Sequence, residues 1–287
     1  MAKGFLPIAL LCAAVFIPAR AVRAQADLKS LTKQAQAGNV SAQSLLGELY
    51  TSGRGVPEDD DQAAKWLRKA AEQGDEGAEY DLGYLYQSGK GVRQDDSQAA
   101  VWYGKAAERG NFWADVNLGF LYEHGRGVKQ DYSEAARLYR AAADHDFAPA
   151  EYNLGVLYER GRGVEKDDSQ AAKWYLKAAQ AGNPKAQNNL GCMYTSGRGV
   201  DQDDAQAAEW FQKAASSGLG EAQFNLAATY ESGRATDPNG AGALYWYRKA
   251  ADAGIEQAKS AVERLERLGN QQTPSQVPGA SQVSGAN

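Results

Sequence analysis

The sequence predicts an all-α chain: a right-handed α-solenoid of about six helix-turn-helix repeats, each 36 residues long, with one further helix at each end. Three observations carry this. A Leu-Gly pair recurs at Leu46-Gly47, Leu82-Gly83, Leu118-Gly119, Leu154-Gly155 and Leu190-Gly191, with Leu226-Ala227 as a sixth copy. A tyrosine follows each pair, at Tyr50, Tyr86, Tyr122, Tyr158, Tyr194 and Tyr230. Between the copies, apolar and small residues fall at helical spacing, never in strand alternation. A fixed period of this size marks stacked supersecondary units.

The chain opens differently. Lys3 precedes an apolar run over residues 5–17, and small residues lead on to Ala24 and Ala26. This pattern reads as a secretory signal peptide over residues 1–26, cleaved after Ala24 or Ala26. The run is too short to span a bilayer comfortably, and Leu11 before Cys12 is the wrong residue for a lipoprotein signal. Removing residues 1–24 takes away three cations, Lys3, Arg20 and Arg23, and moves the net charge from −5 to −8. An acidic mature chain argues against nucleic acid and anionic membranes, which favour basic patches. Of two cysteines only Cys192 remains, so no intramolecular disulfide can form. No membrane span is expected in the mature chain.

The solenoid is expected over residues 27–268. Residues 27–37 read as a lone second helix that caps the first repeat. The repeats start at turn residues Gly38, Gly74, Gly110, Asp146, Gly182 and Gly218, giving units 38–73, 74–109, 110–145, 146–181, 182–217 and 218–253. In the first unit, Ala42, Leu45, Leu46, Leu49 and Tyr50 share one helix face. Gly53 ends that helix, because glycine takes the left-handed conformation that closes helices. A short loop carries Gly55, Val56 and Pro57. The second helix buries Ala63, Trp66, Leu67 and Ala70. Two rows offer N-caps: Asp59, Asp95, Asp131, Asp167 and Asp203, or Asp61, Ser97, Ser133 and Ser169 two residues later. Residues 255–268 form the closing helix, with Glu256, Lys259, Glu263, Arg264, Glu266 and Arg267 on its wet side. Residues 269–287 carry no charge and are rich in Gln, Ser, Gly and Pro, which predicts a disordered tail.

The full pattern, Leu-Gly-x-x-Tyr-x-x-Gly-x-Gly-Val-x-x-Asp-x-x-x-Ala-x-x-Trp-Tyr-x-Lys-Ala-Ala, closely resembles the Sel-one-like repeat, a longer-loop relative of the tetratricopeptide repeat. The departures are local. Leu138 replaces Trp, Ala141 replaces Lys and Asp146 replaces the turn glycine, while the sixth unit has Ala227, Ala235 and Thr236 for Gly, Gly and Val.

The resemblance implies that first helices line a concave groove that takes a peptide or protein segment. The positions it maps there include the aromatic residues Tyr80, Tyr84, Phe120, Tyr152 and Phe224, which differ between repeats as specificity residues do. They also include an amide row, Asn117, Asn153, Asn189 and Asn225, with Leu45 and Asp81 in the first two repeats. An acidic row adds Glu123, Glu159 and Glu231. The amides suit an extended peptide, since each both donates and accepts; they equally suit packing between helices. Phe112 and Trp113 open the third repeat near Phe147, either as an exposed patch or as a plug between repeats.

Catalysis finds little support. His124, His145 and Cys192 are the reactive candidates, and helices two repeats apart stand about 20 Å from one another, beyond contact between nucleophile and base. The carboxylate pairs such as Asp95-Asp96 recur with the period and belong at helix N-termini. Their spacing lacks the glycine and terminal Glu of a calcium loop. The glycine loops follow helices, which is the wrong setting for phosphate binding. No catalytic residue, metal or cofactor is expected. The sequence thus reads as an exported, periplasmic or secreted, non-catalytic scaffold binding another protein, as the resemblance implies for envelope signalling or host contact. The rival readings are a β-lactam-hydrolase-like enzyme, since some cysteine-rich relatives are linked to β-lactam binding or hydrolysis, and a glycan-binding envelope assembly factor.

Overall fold

The computed structural model describes residues 24–236 and 242–272. Over these residues it contains fourteen α-helices and no strand: α1 (Ala24–Gln36), α2 (Val40–Ser52), α3 (Asp60–Ala71), α4 (Glu76–Ser88), α5 (Asp96–Glu108), α6 (Phe112–His124), α7 (Tyr132–Ala143), α8 (Ala148–Arg160), α9 (Asp168–Gln180), α10 (Pro184–Ser196), α11 (Asp204–Ser216), α12 (Gly220–Glu231), α13 (Gly242–Asp252) and α14 (Glu256–Gln272). Residues 1–23 of the signal peptide expected over 1–26, and residues 273–287 of the expected tail, lie outside the described residues. One boundary needs correction: α14 continues through Gln272, four residues into the segment expected to be a tail. Glutamine is a fair helix former, and helix ends are set by packing and fraying more than by composition.

The helices form two compact units, α1–α6 up to Asp131 and α7–α14 from Tyr132 onward. Within each, every helix packs on its neighbour in the chain, so the core is a row of clusters. One such cluster joins Leu67, Ala70 and Ala71 of α3 with Ala78, Leu82 and Leu85 of α4; another joins Tyr175, Ala178 and Ala179 of α9 with Ala186, Leu190 and Met193 of α10.

The Leu-Gly motif has a steric cause. A Cβ on Gly83 would stand 2.7 Å from the Tyr103 ring, one on Gly155 2.7 Å from Tyr175, and one on Gly191 2.6 Å from Phe211. The missing side chain therefore lets the bulky residue of the second helix lie against the first helix of its own repeat. The Gly-x-Gly loop divides its labour. Its first glycine closes the helix in the left-handed region, as Gly161 does at φ 63°. Its second brings the loop against the preceding repeat, where a Cβ on Gly163 would sit 2.1 Å from the Tyr132 carbonyl oxygen.

Each loop then ends alike. The N–H of Asp59, Asp95, Asp131, Asp167 and Asp203 donates to the carbonyl of Tyr50, Tyr86, Tyr122, Tyr158 and Tyr194, at 2.9–3.1 Å. The structure also decides between the two capping rows. Asp59, Asp95, Asp167 and Asp203 accept from the backbone of the new helix through their side chains. First helices are capped too, by Asn39, Asp75, Asn111 and Asn183.

Among the described residues Asp146 is the one non-glycine residue with positive φ, at 56°. It keeps the backbone that glycine adopts at Gly182 and Gly218 in the equivalent turns. An L-residue held there is strained by about 1 kcal/mol. Asp146→Gly should therefore raise stability by roughly 0.5–1 kcal/mol, read as a higher urea midpoint; a lowered midpoint would contradict this account of the turn.

Candidate functional site

First-helix side chains that do not enter the core set the chemistry each unit can offer. In the amino-terminal unit, Tyr80 lies 5.7 Å from the buried Tyr103 ring and accepts a hydrogen bond from Asn117 Nδ2 at 3.5 Å. Tyr84 stands one turn further along α4, half-buried. Phe120 stacks on His124 at 4.1 Å, and the Arg126 guanidinium lies 5.8 Å from the same ring. Phe112, Trp113 and Glu123 are all half-buried on α6. Burial, reinforced by Glu48 and Asp75, pushes Asp81 up to about 7, so this stretch of the face gains negative charge as pH rises through neutrality.

In the carboxy-terminal unit, Tyr152 lies 5.9 Å from Tyr175, and Phe224 meets Tyr247 edge-on at 5.4 Å. Each of these first-helix aromatics rests on the buried tyrosine of its own repeat and leaves part of its ring accessible. Asn225 Nδ2 donates to Asn188 Oδ1 at 2.9 Å and approaches Cys192 Sγ at 3.7 Å. Asn153 is half-buried in the same row.

The acidic and amide rows have internal occupations. The Tyr175 hydroxyl donates to Glu159 Oε2 at 2.8 Å, while Arg198 of the next repeat donates to Glu159 Oε1 at 2.7 Å. The Asn189 amide lies beside the same tyrosine hydroxyl and favours its ionised form against burial, as the Asn117 amide does at Tyr103. Burial would raise the Glu159 carboxyl, but the Arg198 and Tyr175 hydrogen bonds outweigh it and hold it below the usual glutamate value. Glu231 repeats the arrangement with Tyr247 at 2.8 Å and Arg264 at 2.7 Å. Tyr103 donates instead to Gln87, at 2.8 Å.

This coupling was open to sequence reasoning and was missed. Where the second helix carries tyrosine, at Tyr103, Tyr139, Tyr175 and Tyr247, the residue sixteen positions earlier is Gln87, Glu123, Glu159 and Glu231. Where it carries Leu67 or Phe211, that residue is Thr51 or Thr195, whose hydroxyl turns back to its own helix, onto the Gly47 and Gly191 carbonyls. A hydroxyl in the core needs an acceptor, and a core without one does not. A second row was missed as well: Gln43, Glu79, Asp115, Glu151, Gln187 and Gln223 are polar yet buried.

The Cys192 thiol is pushed up by burial and by Glu159, the opposite of what a nucleophile needs. Among the described residues no group of three or more His, Cys, Asp and Glu side chains could hold a metal ion, and no helix is long and apolar enough to cross a membrane. A depression of about 630 Å³ on the amino-terminal unit is lined by Arg68, Tyr86, Val92 and Asp95 among others, and by none of Tyr80, Tyr84 and Phe120.

The repeat geometry has a counterpart in known proteins. The Sel1 repeat family matches residues 40–75, 77–111, 114–147, 148–183, 184–219 and 220–255. The chain belongs to the Sel1 repeat family. Among solved structures it is similar to a protective antigen of uropathogenic Escherichia coli with an SLR fold, at 38% identity and a TM-score of 0.80, over 85% of this chain and 52% of that one. It therefore spans about half the length of that antigen. It is also similar to a Sel1 repeat protein from Oxalobacter formigenes, at 33% identity and a TM-score of 0.68, over 78% of this chain and 94% of that one. Comparison with curated proteins returned no match. Sel1 repeats generally serve protein–protein interaction.

Proposed function

We propose that this Sel1 repeat chain is an exported, non-catalytic adaptor, periplasmic or secreted, that binds a segment of another protein on its first-helix faces. The observation that carries the reading is the aromatic set Tyr80, Tyr84, Phe120, Tyr152 and Phe224. Each is half-buried, and its neighbours differ from repeat to repeat. Rings held at the base and accessible at the edge give contact area at small entropic cost, which is how aromatic anchors act in interfaces. The Asn and Glu rows contribute by fixing those faces, since Glu159 and Glu231 accept from buried tyrosines and Asn117 and Asn225 bond to Tyr80 and Asn188. The pattern over residues 1–26 supports export, and the likeness to an antigen of a pathogenic bacterium is consistent with display outside the cytoplasm.

The test is affinity purification from the native compartment with the wild-type chain and two double variants, Tyr80→Ala with Tyr84→Ala, and Tyr152→Ala with Phe224→Ala. A protein retained by the wild type should fall at least about tenfold with one of the pairs, the loss of a single anchor being worth about 1.4 kcal/mol or more. Circular dichroism should show the helices retained. Undiminished retention by both folded variants would contradict the proposal. A retained species that is a glycan would move the assignment to an envelope assembly factor.

A further inference from the structure

The buried polar row holds one member whose chemistry does not fit its surroundings. Gln43, Gln187 and Gln223 each donate from Nε2 to the carbonyl eight residues back, Ala35, Ala179 and Ala215, at 2.9, 3.0 and 3.2 Å. That carbonyl, at the end of the preceding repeat's second helix, also accepts from the turn, through the N–H of Gly38, Gly182 or Gly218 (and of Asp146 at Ala143), and its second lone pair is open to the side chain. The bond therefore fastens one repeat to the next. Glu79 and Glu151 place a glutamate here instead, which has no hydrogen to give when ionised. In Glu79 the difficulty is met by a cation: Arg109 Nε donates to Glu79 Oε2 at 3.0 Å, and Glu79 is 1% exposed. In Glu151 the residue thirty positions on, equivalent to Arg109, is Ala181. Glu151 is nevertheless 2% exposed, and no hydrogen bond or ion pair reaches its carboxyl group among the described residues.

We propose that Glu151 is carried as the neutral acid in the folded protein and donates its O–H to the Ala143 carbonyl, forming a proton-dependent latch between α7 and α8. The protonated acid reproduces the shape and donor of the glutamine found at the same place in three other repeats. An ionised one would set a buried negative charge against a carbonyl oxygen with no cation in contact. The neighbouring charges agree. Burial raises this carboxyl above its ordinary value, Asp146 in the turn adds to that, and Lys177 on α9 opposes it without reversing it. Of the other charged groups on the packed elements, Arg140 on α7 is engaged with the Tyr158 hydroxyl and the Trp174 ring. Asp144 and His145 occupy the exposed turn. A group that binds its proton more tightly in the folded than in the unfolded chain stabilises the fold at low pH. That contribution fades as pH rises from the ordinary glutamate value through the raised one.

The test uses the full mature chain. Carbonyl-labelled glutamate, assigned by comparison with Glu151→Gln, should show the Glu151 carboxyl titrating above the other glutamates. Glu151→Gln should raise the thermal midpoint by about 2–4 °C at pH 8 and leave it unchanged near pH 4.5, flattening the pH profile. Ala181→Arg, which restores the cation found beside Glu79, should lower the titration point of Glu151. A carboxyl titrating at or below the free-glutamate value would overturn the proposal. So would a Glu151→Gln protein whose pH profile parallels the wild type, or one destabilised at every pH.

Discussion

Gly163→Ala should destabilise the carboxy-terminal unit by about 2–5 kcal/mol, an effect matched among this unit's loop glycines by Gly199, whose added Cβ would lie 2.1 Å from the Asp168 carbonyl oxygen. Two costs combine at Gly163. The residue sits at φ 68°, in the left-handed region, where an L-residue loses about 1–2 kcal/mol. Its new Cβ would also lie 2.1 Å from the Tyr132 carbonyl oxygen and 2.6 Å from the Ser133 nitrogen, and both are backbone atoms that cannot rotate aside. Overpacking of this kind adds about 1–3 kcal/mol. Gly182 separates the two costs, because at φ 88° a methyl group added there would meet nothing within 4 Å. Gly182→Ala should thus lose only the conformational part, about 1–2 kcal/mol. Urea unfolding of both variants measures the difference, and equal losses would show that the loop does not press on the preceding repeat. Gly127 makes the same approach in the amino-terminal unit, 2.2 Å from the Asp96 carbonyl carbon, and should behave as Gly163 does.

The second large effect concerns the buried tyrosine. Glu159→Thr leaves the Tyr175 hydroxyl without its acceptor and Arg198 without its strongest partner, and Tyr175→Phe leaves the half-buried Glu159 short of a donor. Each should cost about 1–3 kcal/mol, the usual penalty for stranding one member of a buried polar pair. The double variant installs the Thr195 and Phe211 combination that the fifth repeat already uses. It should cost less than the sum of the single variants by about 1 kcal/mol or more. The coupling should also depend on pH with a definite sign. Glu159 is held below its ordinary value, so its contribution is complete above the unfolded glutamate value and is lost as pH falls through the folded one. A double-mutant cycle showing strict additivity at neutral pH would contradict the arrangement.

The sequence was legible where one residue type answers to one constraint. The Leu-Gly and Gly-x-Gly glycines, the capping Asp row and the alanines of the second helices recur because each has a single steric or hydrogen-bonding task, and the helices stand where that spacing places them. Roles that depend on two distant residues were harder to see. Glu159 looks like a surface acid until Tyr175 and Arg198 are placed beside it, and Asn225 looks like a peptide ligand until its bond to Asn188 is known. Glu151 reads as an ordinary helix-face acid, since nothing local reports that the preceding helix ends above it. The aromatic residues fall between these cases. Their positions were readable, but their half-burial against the tyrosine row arises from packing.

The central claim is that partner contact runs over the first-helix faces, and site-specific photocrosslinking tests it most directly. A photoreactive phenylalanine analogue would replace Tyr84 or Tyr152 on first helices and, for contrast, Lys65 or Lys173 on the exposed side of second helices. In the native compartment, position 84, position 152 or both should capture a partner, and positions 65 and 173 should capture none. Capture confined to positions 65 and 173 would contradict the account.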